Sequence, residues 1–337
     1  MNIIVLAGGY SPERDVSLTS GSLIANALME EGHRVLLLDV YEGIRELPEN
    51  PITLFHTSQR YHHQVTESIP DLEALKARCG NGDALIGPHV IDLCRLADKV
   101  FLALHGAMGE NGQLQATLDS FGISYTGSGY LGSALAMNKD LSKRLFRDAG
   151  IPTPDWVCIQ PSQGNNIPSM PLPCVVKPCS CGSSVGISMA DTEEELQNAL
   201  AEAARWEDRI LVEQKITGRE FTVGILDGKP LPLVEIIPDE GFYDYKNKYQ
   251  GTTREICPAE LSDEDTERAQ RIAMQVFEAL HLRGYARVDL LMEENGQFWV
   301  LEANTLPGMT PTSLLPQAAA AAGISYNQLC QRIIDLA

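Results

Sequence analysis

"GYARVDLLMEENGQFWVLEANTLPGMT", residues 284–310, holds two apolar runs separated by Asn295-Gly296. Asn-Gly between apolar stretches favours a tight reversal, so "GYARVDLLME" and "QFWVLEAN" read as a strand pair. Side chains two apart on a strand share a face. Glu302 and Asn304 therefore point to one side, and so do Arg287 and Asp289. Four polar groups on strands this apolar are costly unless they have partners. One reading is a buried salt-bridge cluster. The other is a cation site, because an oxygen-rich set of Asp, Glu and Asn suits Mg²⁺, a hard ion that takes water and phosphate as its other ligands.

A second stretch, "VVKPCSCGSSVGIS" at 175–188, supports the second reading. Lys177 ends an apolar strand, where it either snorkels to solvent or serves an anion. Gly182 and Gly186 allow close backbone approach, and consecutive N–H groups can form an anion nest. The same residues fit G-x-S-x-G, but a nucleophile elbow needs a helix after the turn. Here "GISMA" reads as a strand, and His281, within an amphipathic helix, is the one histidine downstream. Cys179 and Cys181 form a lone C-x-C without the second half that a zinc site needs. "GSGYLG" at 127–132 matches G-x-G-x-x-G, yet lacks a suitable acidic residue about 20 positions on; Asp148 is nearest and sits at a helix end. A nicotinamide enzyme is therefore not expected.

Elsewhere, short apolar strands alternate with helices. "NIIVLAGG", "RVLLLDV" and "KVFLALHG" read as buried parallel strands, with a helix over "VSLTSGSLIANALMEEG". "GYLGSALAMNKDLSKRLFRDAG" reads as one helix ending near Gly150, and "KPLPLVEII" as one strand. "ISYT" before residue 127 reads as a further strand. Thr192 with Glu195 gives a capping-box helix start. Residues from about Pro51 to Asp98 read as loops and short helices, and "PDEGFYDYKNKYQGTTREICP" as a long functional loop.

Composition sets outer limits. A chain of 337 residues suggests about two or three domains. The net charge of −19 argues against a nucleic-acid binder or a basic membrane-surface protein, both of which need clustered Lys and Arg. No apolar run reaches the ~18–20 residues of a transmembrane helix. The first residues do not read as a signal peptide, so a cytoplasmic location is expected. Eight scattered cysteines suit reduced thiols.

Lys177 with "GSSVG", then "VEQ…GREFTV", "RVD" and "LEANTLPGMT" resembles the ATP-grasp superfamily. With "SPERDVSLTSG", "LHG…GENG" and "FYDYKNKY", the chain resembles the D-alanine–D-alanine ligase family over nearly its whole length. The resemblance implies an α/β ATP-grasp fold of three α/β domains. They are an N-terminal Rossmann-like domain over 1–137, a central ATP-grasp domain over 138–212, and a C-terminal ATP-grasp domain over 213–337 with a lid loop at about 238–256.

It also implies ATP and two Mg²⁺ ions, for which Mn²⁺ can stand in, and two D-alanines joined through an acyl phosphate for peptidoglycan synthesis. By the resemblance, Lys139, Lys177 and the lid's Lys248 hold phosphates, Glu213 meets adenine and Glu220 the ribose. Asp289, Glu302 and Asn304 hold the metal. Arg287 and the N–H of Gly308 stabilise the oxyanion. Glu13 pairs with the first substrate's ammonium near His105, and Ser183 and Tyr249 link Glu13 to the lid. Ser313 and Leu314, opening a helix, receive the second carboxylate. Tyr249 goes with an amino acid rather than a hydroxy acid as acceptor, and D-serine stays open. Gln214 departs from a common lysine. A homodimer is expected, with no nucleic-acid or membrane partner.

Overall fold

The computed structural model describes residues 1–65, 70–163, 170–182, 185–238 and 253–337. Three sheets organise them. The first is parallel, in the order β2-β1-β3: β1 (Asn2–Ala7), β2 (Arg34–Asp39) and β3 (Lys99–Leu102). Ile3 lies opposite both Val35 and Lys99. Helix α1 (Arg14–Glu30) covers this sheet with Ile24, Ala25 and Leu28. Between 51 and 98 the described residues supply loops and the short helices α2 (Leu72–Cys79) and α3 (Val90–Cys94). After β3 come α4 (Ala107–Glu110) and α5 (Gln113–Ser120).

The segment read as one helix before Gly150 is two: α6 (Tyr130–Met137) and α7 (Lys139–Asp148). Asn138 breaks it, with extended φ −89° and ψ 99°, and its side chain accepts from Leu141 N at 3.0 Å. An Asn cap starts a new helix at the cost of ending the old one. The break places Lys139 at the first position of α7. Gly132 in "GSGYLG" is a packing residue: a Cβ there would lie 2.8 Å from the His281 carbonyl oxygen and 3.1 Å from that of Leu280. "ISYT" forms only an isolated bridge, between Tyr125 and Val100.

The central sheet is antiparallel, in the order β4-β7-β5-β6: β4 (Trp156–Ile159), β5 (Cys174–Pro178), β6 (Ser188–Ala190) and β7 (Ile210–Gln214). Helix α8 (Glu193–Ala203) packs on it, opened by the expected capping box of Thr192 and Glu195.

The largest sheet runs β11-β10-β8-β12-β13, with β9 paired to β8. Its strands are β8 (Arg219–Leu226), β9 (Lys229–Pro230), β10 (Val234–Pro238), β11 (Thr253–Ile256), β12 (Tyr285–Met292) and β13 (Phe298–Asn304). The strand read over 229–237 is broken, because Pro232 has no N–H for a ladder. Helix α9 (Asp263–Ala279) covers one face with Ala273, Val276 and Phe277. His281 lies beyond that helix, at φ 53°, and not within it.

Helices α10 (Leu314–Ala321) and α11 (Tyr326–Asp335) close the chain. Leu314, Leu329, Ile333 and Ile334 share one core with Ile3–Ala7 and α1. Among the described residues no helix is long and apolar enough to cross a membrane.

Candidate active site

The strand pair read from sequence is present, and its turn holds Gly296 at φ 83°. Its register sets Arg287 opposite Asn304 and Asp289 opposite Glu302, so all four share one face. The Arg287 guanidinium meets Asp289 in a fork, Nε to Oδ1 and Nη2 to Oδ2, both at 2.9 Å. Asp289 also accepts from Thr222 Oγ1 at 2.7 Å and Asn304 Nδ2 at 3.1 Å. Thr222 and Glu220 lie on the same face of β8, opposite Asp289 and Leu291. The buried ion pair considered from sequence is thus real for Arg287 and Asp289. Glu302 turns elsewhere, to Lys139 Nζ at 3.1 Å.

Lys139 joins two parts of the molecule. Its Nζ also donates to the Cys181 carbonyl at 2.9 Å, and its backbone N to the Cys179 carbonyl at 2.9 Å. Burial opposes its charge, but the Glu302 carboxylate outweighs burial and the ammonium's pKa is raised. Lys177 lies in a different cluster. Its Nζ contacts Glu213 Oε1, while Lys143 Nζ meets Glu213 Oε2 at 3.0 Å. Burial raises the Glu213 pKa, yet the two ammonium groups overcome it and hold the carboxyl below its usual range. Burial pushes Lys143 down to about 8, against the pull of Glu213. Two lysines around one carboxylate leave a surplus of positive charge, as an anionic ligand requires.

Lys143 was not singled out from sequence, because it sits among the other polar residues of an amphipathic helix.

A cavity of about 330 Å³ gathers the remaining residues. Glu13, His105 and Glu110 line one side; Lys139, Arg287, Glu302 and Asn304 another; Gly308, Ser313 and Leu314 a third. His105 Nε2 is buried with no hydrogen-bond partner among the described residues. Burial lowers its pKa, partly offset by the Glu13 charge, a shift that favours the uncharged imidazole. Glu110 was not singled out either, although it lies in the quoted "GENG". Burial, then the Glu13 charge, pushes its carboxyl up to about 8, and the Gly106 N–H donates to it at 2.7 Å.

Ser313 precedes α10 as its N-cap without a side-chain cap bond; its Oγ accepts from Thr310 N at 3.1 Å instead. The first N–H groups of α10 are therefore open to an anion. A Cβ on Gly308 would lie 2.9 Å from Ser313 Oγ, so this loop packs tightly against the helix start.

Ser183, Lys248 and Tyr249 lie outside the described residues. Beyond Ser183 and Ser184, residues 185–190 form a turn and β6, not the helix of a nucleophile elbow. Among the described residues no three His, Cys, Asp or Glu side chains form a metal-binding group. Asp289 and Glu302 with the Asn304 amide still provide hard oxygen donors on one face, a set that fits Mg²⁺ completed by water and phosphate.

Comparison with known proteins accords with this geometry. Residues 2–128 match the model "D-ala D-ala ligase N-terminus" and residues 145–335 match "D-ala D-ala ligase C-terminus". The D-alanine–D-alanine ligase of Pediococcus pentosaceus is 42% identical, over 99% of this chain and 97% of its own. That of Lacticaseibacillus casei is 40% identical, over 99% and 95%. The crystal structure of the Bacillus anthracis D-alanine–D-alanine ligase complexed with ATP superposes with a TM-score of 0.76 at 31% identity, covering 100% of this chain and 97% of that one. The fold is ATP-grasp, and with both halves matched in order the chain belongs to the D-alanine–D-alanine ligase family.

Proposed function

We propose that the chain joins two D-alanines into D-alanyl-D-alanine at the expense of ATP, supplying a precursor for peptidoglycan in the cytoplasm. The observation that carries this reading is one cavity bounded by three features: Glu13 with His105, the Lys139–Glu302–Arg287 face, and the start of α10, which has no side-chain cap. An amino acid brings an ammonium and a carboxylate, and two amino acids in line need a carboxylate site at the far end.

In this scheme the carboxylate of the first D-alanine attacks the γ-phosphorus of ATP and ADP leaves. The amine of the second then attacks the acyl-phosphate carbonyl, and phosphate leaves. Glu13 holds the first ammonium, with His105 beside it. Lys139, Lys177 and Lys248 neutralise phosphate charge, which aligns as much as it attracts. Glu213 and Glu220 serve the nucleoside, and Lys143 keeps Glu213 ionised. Asp289, Glu302 and Asn304 would hold Mg²⁺, in a pair of ions that Mn²⁺ can replace; bound metal supplies positive charge to the phosphates. Arg287, fixed by its fork to Asp289, and the Gly308 N–H meet the oxyanion where charge develops. Ser313 and Leu314 present the start of α10 to the second carboxylate. Ser183 and Tyr249 couple the lid to Glu13, and closure excludes water from the acyl phosphate. The working form is a homodimer.

The test is incubation with ATP, Mg²⁺ and D-alanine, following phosphate release and product mass. D-alanine-dependent phosphate and the dipeptide mass are expected; no such phosphate sinks the reading. Competition among D-alanine, D-serine and D-lactate identifies the acceptor. Glu302→Gln should abolish turnover with the fold intact.

A further inference from the structure

The cysteines that drew attention in sequence were Cys179 and Cys181, but the structure makes a different pair. Cys158 Sγ on β4 lies 3.4 Å from Cys179 Sγ, just beyond β5. The two are 21 positions apart and come together because β4 and β5 flank β7. Cys179 is fully buried, whereas Cys158 is part-exposed on an edge strand. Arg209 Nη2 reaches to 3.8 Å from Cys158 Sγ while held at 2.8 Å by Asp140 Oδ2. The bond from Cys179, with help from Arg209 and against burial and the Asp140 charge, brings the Cys158 thiol down to about 7. Reactive cysteines occupy such cation-bearing, part-exposed places, and buried ones are inert by themselves.

We propose that Cys158 and Cys179 form a reversible disulfide under peroxide, and that this bond loosens the chain's hold on nucleotide. The Cys158 thiolate attacks one peroxide oxygen, giving a sulfenic acid and one water. Cys179 Sγ then attacks that sulfur, the S–S bond forms, and a second water leaves. Two thiols lose two electrons and two protons, and the peroxide is reduced to two waters.

The link to nucleotide follows from the backbone around Cys179. Bonded sulfurs lie about 2.05 Å apart, so the pair must close by more than ~1 Å. Residues 179–181 would absorb part of that movement, and their carbonyls are what hold Lys139: Cys179 O takes its N–H and Cys181 O its Nζ, each at 2.9 Å. A shift of that order at a positioning group can cost about 100-fold in rate. This second half of the proposal rests on the ligase reading; the bond itself does not.

The experiment treats the full chain, folded, with hydrogen peroxide, then blocks remaining thiols and measures intact mass. A loss of about 2 Da and a cross-linked peptide pair holding Cys158 and Cys179 are expected. Affinity for a non-hydrolysable ATP analogue should fall about tenfold or more, and dithiothreitol should restore it. Cys158→Ala, at a part-exposed site, should fold, bind the analogue as the reduced chain does, and lose both responses. Cys181→Ala should retain the mass loss. No cross-link, or a mass loss that persists in Cys158→Ala, overturns the proposal. A bond that forms with analogue affinity unchanged overturns its regulatory half. Failure of the reduced chain to bind the analogue overturns the function proposed above and leaves the bond standing.

Discussion

Lys139, the first residue of α7, and Glu302 on β13 meet at 3.1 Å. One ammonium thus ties the segment after β5 to the face that carries Asp289 and Arg287. Lys139→Ala removes that tie and, on the function proposed above, a contact to phosphate. A charge-assisted hydrogen bond contributes about 1.5–3 kcal/mol. The KM for ATP should therefore rise about tenfold to 100-fold, measured by steady-state phosphate release.

Glu213→Ala should destabilise more than it looks from one carboxylate. It would leave Lys143 and Lys177 buried side by side with their shared counter-charge gone. Removing one partner of a buried ion pair costs about 3–5 kcal/mol. The urea midpoint should fall accordingly, and Glu213→Gln, which retains an acceptor, should fall less.

Glu110 gives the molecule a pH-dependent stability. Its carboxyl is held up to about 8 by burial and then by Glu13, against an ordinary value of 4.5. Between those values the folded chain keeps a proton that the unfolded chain has lost. Stability from this group is fully present below the unfolded value and is lost as pH rises toward about 8. The slope approaches about 1.4 kcal/mol per pH unit. Glu110→Gln mimics the protonated form, so it should flatten this slope and raise the thermal midpoint more at pH 8 than at pH 5. An unchanged slope would contradict the assignment.

Gly132→Ala tests a contact between α6 and the residues after α9. The new methyl would press on the carbonyl oxygens of His281 and Leu280, which are backbone and cannot swing aside. Overpacking of this kind costs about 1–3 kcal/mol. The denaturation midpoint should fall while the KM for ATP stays within about twofold.

What sequence could reveal was what repeats or alternates locally. The β12–β13 pair declared itself through apolar runs and Asn295-Gly296, and with it the shared face of Arg287, Asp289, Glu302 and Asn304. Lys143 and Glu110 stayed hidden for opposite reasons. Lys143 occupies a helix crowded with charge, where a buried lysine looks like a surface one. Glu110 ends the short helix α4 within a polar stretch of sequence, and only tertiary packing removes it from water. Asn138 could be read as helix interior or as a cap, and its context in "MNKD" did not decide. Cys158 and Cys179 meet through a strand that lies between their own, so no spacing rule links them. Lys248 and Tyr249, which the resemblance assigns to a lid, fall outside the described residues.

The last helix bears on how the chain is made. Leu329, Ile333 and Ile334 of α11 complete the core around β1 and α1, and Lys99 Nζ donates to the Ile334 carbonyl at 2.9 Å. The first sheet is thus sealed by a helix translated long after it. A nascent chain leaving the ribosome holds its first sheet with an uncovered apolar side until α11 emerges. Co-translational folding around β1 must then stall short of completion, and protection of β1 from proteolysis should arrive only once α11 has left the ribosome.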